Sequence, residues 1–332
     1  MFLFIIGYFI MTMLAATTPE SIIKTHLPNE ELCSVTPLAG GLSNDQLFLC
    51  RTTANTYVLK LFQPDSPYAA HEIPAHVAAA QKNLAPAIYA SSDNFLLMAL
   101  IDAPTFRLKE RNNRSFLKSL AKTVKTIEPM HDLAQGRNLN VLQETYDCFH
   151  SLEKTTPHYH LLQKGKMAVE QIEHFLQASN RPFVFCHGDI QPRNFFFINN
   201  KVILIDWSDG GMYYQWYDLT RASIMCCLSP ESDEYLLACY LGLSPTTADL
   251  QYFKYLKCLH RYFDAIRLLQ YIATQKPLHP CSLPSRTFDE LQIEWAKHNG
   301  ADYPSDLQEL AYAQLQTFLQ EAEALGLTAI SI

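Results

Sequence analysis

Apolar positions change their period along this chain. Up to about residue 101 they come in short alternating or continuous runs. From Ser115 they recur every three to four residues. Residues 46–50 and 56–62 read as strands after a glycine turn at 40–44, with a further strand from Val35 leading into that turn. Residues 84–89 turn into a strand, and 95–101 form another. Thr18-Pro19-Glu20 starts a short helix, with Thr at the N-cap and Pro at the first helical position. Residues 68–82 are Ala-rich and helical in tone. Pro74 breaks the pattern, so a regular helix is expected after it, with Glu72 at or before its start. Phe116, Leu120, Val124 and Ile127 mark the first amphipathic helix of the second period. Two helical stretches follow in 141–180, the second over 167–177, and then 231–241, 249–274, 286–298 and 304–325. The pattern predicts an α+β chain: a small antiparallel-sheet lobe over 17–101 and a mostly helical lobe over 102–332.

Within the helical lobe, between the stretches 167–177 and 231–241, lies the segment that carries chemistry. His187-Gly-Asp-Ile-Gln-Pro-Arg-Asn194 follows an apolar run at 182–186. It precedes two more such runs, 195–198 and 202–205, joined by Asn199-Asn200. Asn tolerates positive φ, so the pair suits a two-residue hairpin turn. Folding about it sets position 194 opposite 205, and Asn194 beside Asp206. Two carboxylates, Asp189 and Asp206, and one amide then converge at the edge of a small sheet. These are oxygen ligands of the kind Mg²⁺ prefers, in an order that suits phosphoryl transfer.

Composition narrows this picture. The 332 residues are 48% hydrophobic and 18% charged, enough for a large core and about two domains. A net charge of −7 gives no basic footprint for nucleic acid and suits a cationic small molecule better than an anionic one. The nine cysteines form no C-x-x-C pair and read as buried thiols in a reducing compartment. Residues 1–16 carry no charge, are short for a membrane helix and lack the basic start of a secretory signal. An upstream start codon with Met11 or Met13 as the true start, a packed helix and a membrane anchor all remain open for them.

His-x-Asp-x-x-x-x-Asn followed by Ile-Asp-Trp resembles the catalytic and metal loops of the protein-kinase-like fold. With Gly188 second, the loop is similar to that of the aminoglycoside phosphotransferase and choline kinase family. The resemblance implies a two-lobed kinase fold with ATP and Mg²⁺ between the lobes, and a cytoplasmic enzyme. It implies Asp189 as the group acting on the acceptor hydroxyl, and Asn194 and Asp206 as metal ligands. Gly40, Gly41, Ser43 and Asn44 would lie over the phosphates. Lys60 would reach the phosphates and pair with a helical Glu, for which Glu72 is the candidate. Backbone at Ala99 to Ile101 would meet the adenine, and Asp218-Leu219 would tie down the catalytic loop. Members usually carry an acid after the Asp-aromatic pair. Here Ser208 stands there, and Asp209 is either a second ligand or a turn residue. His131 is expected to be packed. For an acceptor, Asp209, Tyr213, Trp216 and Glu294 are candidates, with Asp264 and Trp295 less marked. The expected substrate is an amino alcohol such as choline or ethanolamine, or thiamine. An aminoglycoside or sugar, or an inactive kinase-like binding protein, are the alternatives.

Overall fold

The computed structural model describes residues 18–38, 45–133, 141–154, 156–297 and 307–327. The chain divides into two compact units, Met1–Asp102 and Ala103–Ile332. The first is built on an antiparallel sheet of β1 (Leu32–Leu38), β2 (Gln46–Thr52), β3 (Thr56–Leu61), β4 (Ile88–Ser92) and β5 (Phe95–Ala99), in the order β1-β2-β3-β5-β4. Helix α1 (Pro19–His26) starts as expected at Thr18, whose hydroxyl accepts from Ser21 N while Ser21 Oγ accepts from Thr18 N. It lends Ile22 and Ile23 to a core with Tyr57, Leu59 and Leu97.

Helix α2 (Ala69–Gln81) covers the other face, where Ala69, Ile73 and Val77 pack on Phe62, Leu96 and Met98. It begins five residues before Pro74 rather than after it. A proline there forgoes one backbone hydrogen bond, and burial of the helix against the sheet outweighs that loss.

The second unit is mostly helical: α3 (Arg114–Ile127), α4 (Val141–Ser151), α5 (Tyr159–Ala178), α6 (Tyr217–Met225), α7 (Pro230–Leu241), α8 (Thr247–Gln275), α9 (Phe288–Lys297) and α10 (Leu307–Ala324). Helix α5 starts earlier than its apolar period suggested, because Gly165 is a contact rather than a breaker. A Cβ there would stand 2.3 Å from the Tyr262 ring on α8. Two short antiparallel pairs carry the functional loops. β7 (Phe195–Ile198) pairs with β8 (Lys201–Leu204) in the expected register, with Asn199 at φ 49° and Asn200 at φ 58° in the turn. β6 (Phe183–Cys186) pairs with β9 (Gly211–Tyr214), a strand the sequence pattern did not separate from the aromatic run around it. Phe106 stacks on Phe116 at 4.1 Å, and its N–H donates to Phe195 O, fixing the floor under β7. His131, expected to be packed, is exposed. Of the nine thiols six are buried, while Cys33 is exposed. Burial pushes Cys50 and Cys148 up to about 11.

One half-buried acid makes the fold sensitive to pH. Burial raises Glu128 from 4.5 to about 6, against the pull of the Tyr240 hydroxyl that donates to it; Asp218 also raises it and Lys125 lowers it. A raised carboxyl favours the folded state while protonated. Its contribution is therefore complete below pH 4.5 and is lost as pH rises through about 6. Melting curves between pH 4.5 and 7 should show wild type losing more stability than Glu128→Gln over this window. Parallel curves would mean that Glu128 does not titrate there.

Candidate active site

The catalytic loop is fixed from behind before any of its functional groups is placed. Asp218, at the start of α6, is fully buried. Its Oδ2 accepts from His187 N at 2.7 Å and its Oδ1 from Gly188 N at 2.9 Å. Burial raises the Asp218 carboxyl, and these two N–H bonds oppose the shift. Asp189 N donates to His187 Nδ1 at 3.3 Å, which leaves the ring proton on Nε2 to donate to Ile205 O at 3.1 Å. The same ring lies 4.6 Å from that of Trp207. Gly188 sits at φ +84°, and a Cβ there would meet the carbonyl oxygen of Asp209 at 2.2 Å. The loop at 187–189 and the turn at 205–209 are thus held together by the His187 ring on Ile205 O and by the close approach of Gly188 to the Asp209 backbone.

The hairpin then sets the ligand positions. Ile205 N donates to Asn194 O at 2.8 Å, so Asp206 follows directly on the residue paired with Asn194. Asp206 itself takes φ +62°. Asn194 is buried and turns its Nδ2 to Asp189, at 2.8 Å from Oδ2 and 3.1 Å from the backbone oxygen.

Asp189 is the hub of a charged cluster that the sequence reading did not assemble. Its Oδ1 takes Arg221 Nη2 at 2.8 Å and Nε at 3.2 Å, while Oδ2 takes Gln191 Nε2 at 2.5 Å besides Asn194. Arg221 Nη1 donates to Asp264 on α8. One turn along α8, Arg267 reaches Asp209 at 3.5 Å. Burial works against the Arg221 charge, but Asp264 and Asp189 raise its pKa well beyond the usual range; Asp209 and then Asp189 do the same for Arg267. Asp264 is among the acceptor candidates of the sequence. Arg221 carried one signal, its place three residues after Asp218 on a helix.

The first unit supplies its own pair. Strand alternation puts Lys60 on the face of Val58 and Phe62, toward α2. There Lys60 Nζ meets Glu72 at 2.7 and 2.8 Å, with the two residues 7% and 1% exposed. Ala99 ends β5, and its N–H donates to Ala87 O; Ile101 follows in coil. Gly40, Gly41, Ser43 and Asn44 lie outside the described residues, as do residues 1–16.

The acceptor candidates part company. Asp209 joins the cluster through Arg267, and Tyr213 donates its hydroxyl to Asp209 O. Trp216 does not: it is 0% exposed, packed edge-on to Tyr252, with the Arg181 guanidinium 3.9 Å from its ring. It is core. Tyr213 stacks on Tyr217 at 4.1 Å and is itself buried. Glu294 forms an exposed ion pair with Arg286, which also holds Glu309. That pair belongs to the packing of α9 and α10 rather than to the cluster.

Among the described residues no group of three or more His, Cys, Asp or Glu side chains forms a metal site. An Asn oxygen and one carboxylate still fit Mg²⁺, which keeps several waters and completes its octahedron with substrate phosphates. With Nδ2 of Asn194 engaged by Asp189, its Oδ1 is the atom turned to other uses.

Comparison with known proteins agrees with this fold. A choline/ethanolamine kinase family protein from Mesorhizobium loti superposes with a TM-score of 0.61 at 17% identity, over 86% of this chain and 92% of that one. Choline kinase LicA from Streptococcus pneumoniae gives 0.60 at 17%, over 86% and 98%. A spectinomycin phosphotransferase in complex with ADP and spectinomycin gives 0.52 at 14%, over 90% and 97%. No curated protein sequence matches. No helix among the described residues is long and apolar enough to cross a membrane. Residues 34–252 match the phosphotransferase enzyme family, APH, and with its kinase-like fold the chain belongs to that family.

Proposed function

We propose that the chain transfers the terminal phosphoryl group of ATP to a hydroxyl of a small molecule, with Mg²⁺, in the cytoplasm where ATP is supplied. The observation that carries the reading is the contact of Asn194 with Asp189, next to the hairpin end that presents Asp206. In this reading Asp189 orients the acceptor hydroxyl and takes its proton. The hydroxyl oxygen bonds to the γ-phosphorus as the bond to the bridging oxygen breaks, and ADP leaves. Asn194 Oδ1 and Asp206 would hold Mg²⁺, which would offset the negative charge of the phosphates. Lys60, held straight by Glu72, would meet the phosphates. The glycine turn with Ser43 and Asn44 would cover them, and backbone at Ala99 to Ile101 would meet the adenine.

For the acceptor, an amino alcohol such as choline or ethanolamine, or thiamine, comes first. The choline and ethanolamine kinase neighbours support it. Burial of Trp216 withdraws the aromatic wall as support. An aminoglycoside or sugar is the second reading, favoured by the spectinomycin phosphotransferase neighbour. ADP release from Mg·ATP with choline, ethanolamine, thiamine, kanamycin and glucose decides between them. Mg·ATP binding with no phosphorylation of any acceptor favours the remaining reading, an inactive kinase-like binding protein.

The metal assignment has its own test. Asn194→Ala and Asp206→Ala should each weaken ATP binding in the presence of Mg²⁺ and leave the metal-free affinity unchanged, and EDTA should abolish turnover of wild type. Calorimetry with and without Mg²⁺ reads this. Unaltered Mg·ATP affinity in both variants would remove them as ligands.

A further inference from the structure

We infer that Arg221 is a positioning residue for the transfer step, holding the Asp189 carboxylate in its working orientation, and that Asp264 in turn holds Arg221. The inference rests on the reading of Asp189 as the group that acts on the acceptor hydroxyl, and deepens it.

Asp218 and Arg221 stand three residues apart on α6 and so share one face. The first fixes the backbone of the catalytic loop, the second its side chain. Arg221 uses its guanidinium as a fork. Nε and Nη2 converge on Asp189 Oδ1 at 3.2 and 2.8 Å, while Nη1 binds Asp264 Oδ2. Its side chain is 14% exposed. A carboxylate offers about four lone-pair positions. Asp189 fills two on Oδ1 with the guanidinium and two on Oδ2 with the Gln191 and Asn194 amides. The bonds to Arg221 are charge-assisted and the amide bonds are not, so a hydroxyl enters most easily on the Oδ2 side while Arg221 keeps its grip.

The placement is a poor way merely to join two helices. Burying a guanidinium between carboxylates carries a desolvation cost that apolar residues avoid. Leu219 and Ala222 on α6, and Ala265 and Ile266 on α8, already supply buried apolar neighbours. Helix α8 also reaches the other loop, through Arg267 on Asp209. It therefore braces both the residue that meets the hydroxyl and the turn that follows Asp206.

Arg221→Lys is the cleanest variant, because it keeps a charge for Asp264 but has no planar fork for two bonds to Asp189. With Mg·ATP and the panel acceptors it should lower kcat by about 10²-fold. KM for ATP should stay within about threefold of wild type, and the melting temperature should hardly move. Asp264→Asn should show the same pattern at about tenfold, one charge-assisted contact having been weakened. In Arg221→Ala, added guanidinium ion should recover part of the lost kcat, which a merely structural defect would not allow. Near-wild-type kcat in folded Arg221→Lys overturns the inference, as does a loss shared equally by ATP affinity and melting temperature. Should Arg221→Lys fail to fold, unchanged kcat in Asp264→Asn overturns it instead. If wild type and Asp189→Ala turn over ATP alike, the reading of Asp189 itself fails. A crystal structure of Arg221→Lys then decides the positioning role alone: a turned Asp189 carboxylate supports it, and an unmoved one overturns it.

Discussion

Alanine at Asp189 should lower kcat by about 10²–10⁴-fold while Mg·ATP affinity stays within about threefold of wild type. The split follows from where the residue stands. Its two oxygens are spent on Arg221, Gln191 and Asn194, groups of the catalytic loop and of α6. Removing the carboxylate takes away the proton acceptor and the group that aims the hydroxyl. Arg221 is left with Asp264 as a partner, so the fold should tolerate the change. Asp189→Asn should fare little better than alanine. Its amide would set a donor against Arg221 or against the amides of Gln191 and Asn194, and it cannot take a proton. A folded Asp189→Ala enzyme with kcat within about tenfold of wild type would sink the assignment.

Alanine at Gly188 should be nearly as damaging, for a mechanical reason. The residue has φ +84°, which costs an L-residue about 1–2 kcal/mol. The new Cβ would also lie 2.2 Å from Asp209 O and 2.8 Å from Asp209 C. The obstacle is backbone, which cannot swing aside as a side chain does. Relief requires parting the 187–189 loop from the 205–209 turn, and with it the bond from His187 to Ile205. Clash and backbone strain together should cost about 2–5 kcal/mol. The expected outcome is a melting temperature lower by several degrees and activity lost at all temperatures. A variant that melts and turns over like wild type would show that the Asp209 carbonyl can yield.

Much of this site could be read before any coordinate. The hairpin followed from two apolar runs and an Asn-Asn pair, because a two-residue turn admits one register and each asparagine accepts positive φ. Lys60 and Glu72 came from the family resemblance, and the strand's period of two explains why that lysine is buried. What stayed hidden depends on contacts between distant segments. Arg221 and Arg267 look on paper like polar helix positions, and only the approach of α6 to α8 turns them toward Asp189 and Asp209. Strand β9 is four residues long and its partner lies 28 positions earlier, so no local alternation announces it. Trp216 is an acceptor candidate on sequence only through its nearness to Asp206, and packing is the commoner role for a ring in such an aromatic run. It sits at φ +74° where the chain turns into α6, and its ring is directed into the core against Tyr252.

The left-handed backbone at Asp206, φ +62°, sets two selective demands against each other. Glycine adopts that conformation without penalty, and asparagine adopts it more readily than most residues. A library screened only for heat resistance would therefore accumulate glycine or asparagine at this position. Such a screen would discard the carboxylate that the proposed chemistry requires. Campaigns for robustness and for turnover would diverge at this residue, and engineered descendants of this chain need position 206 held fixed from the first round.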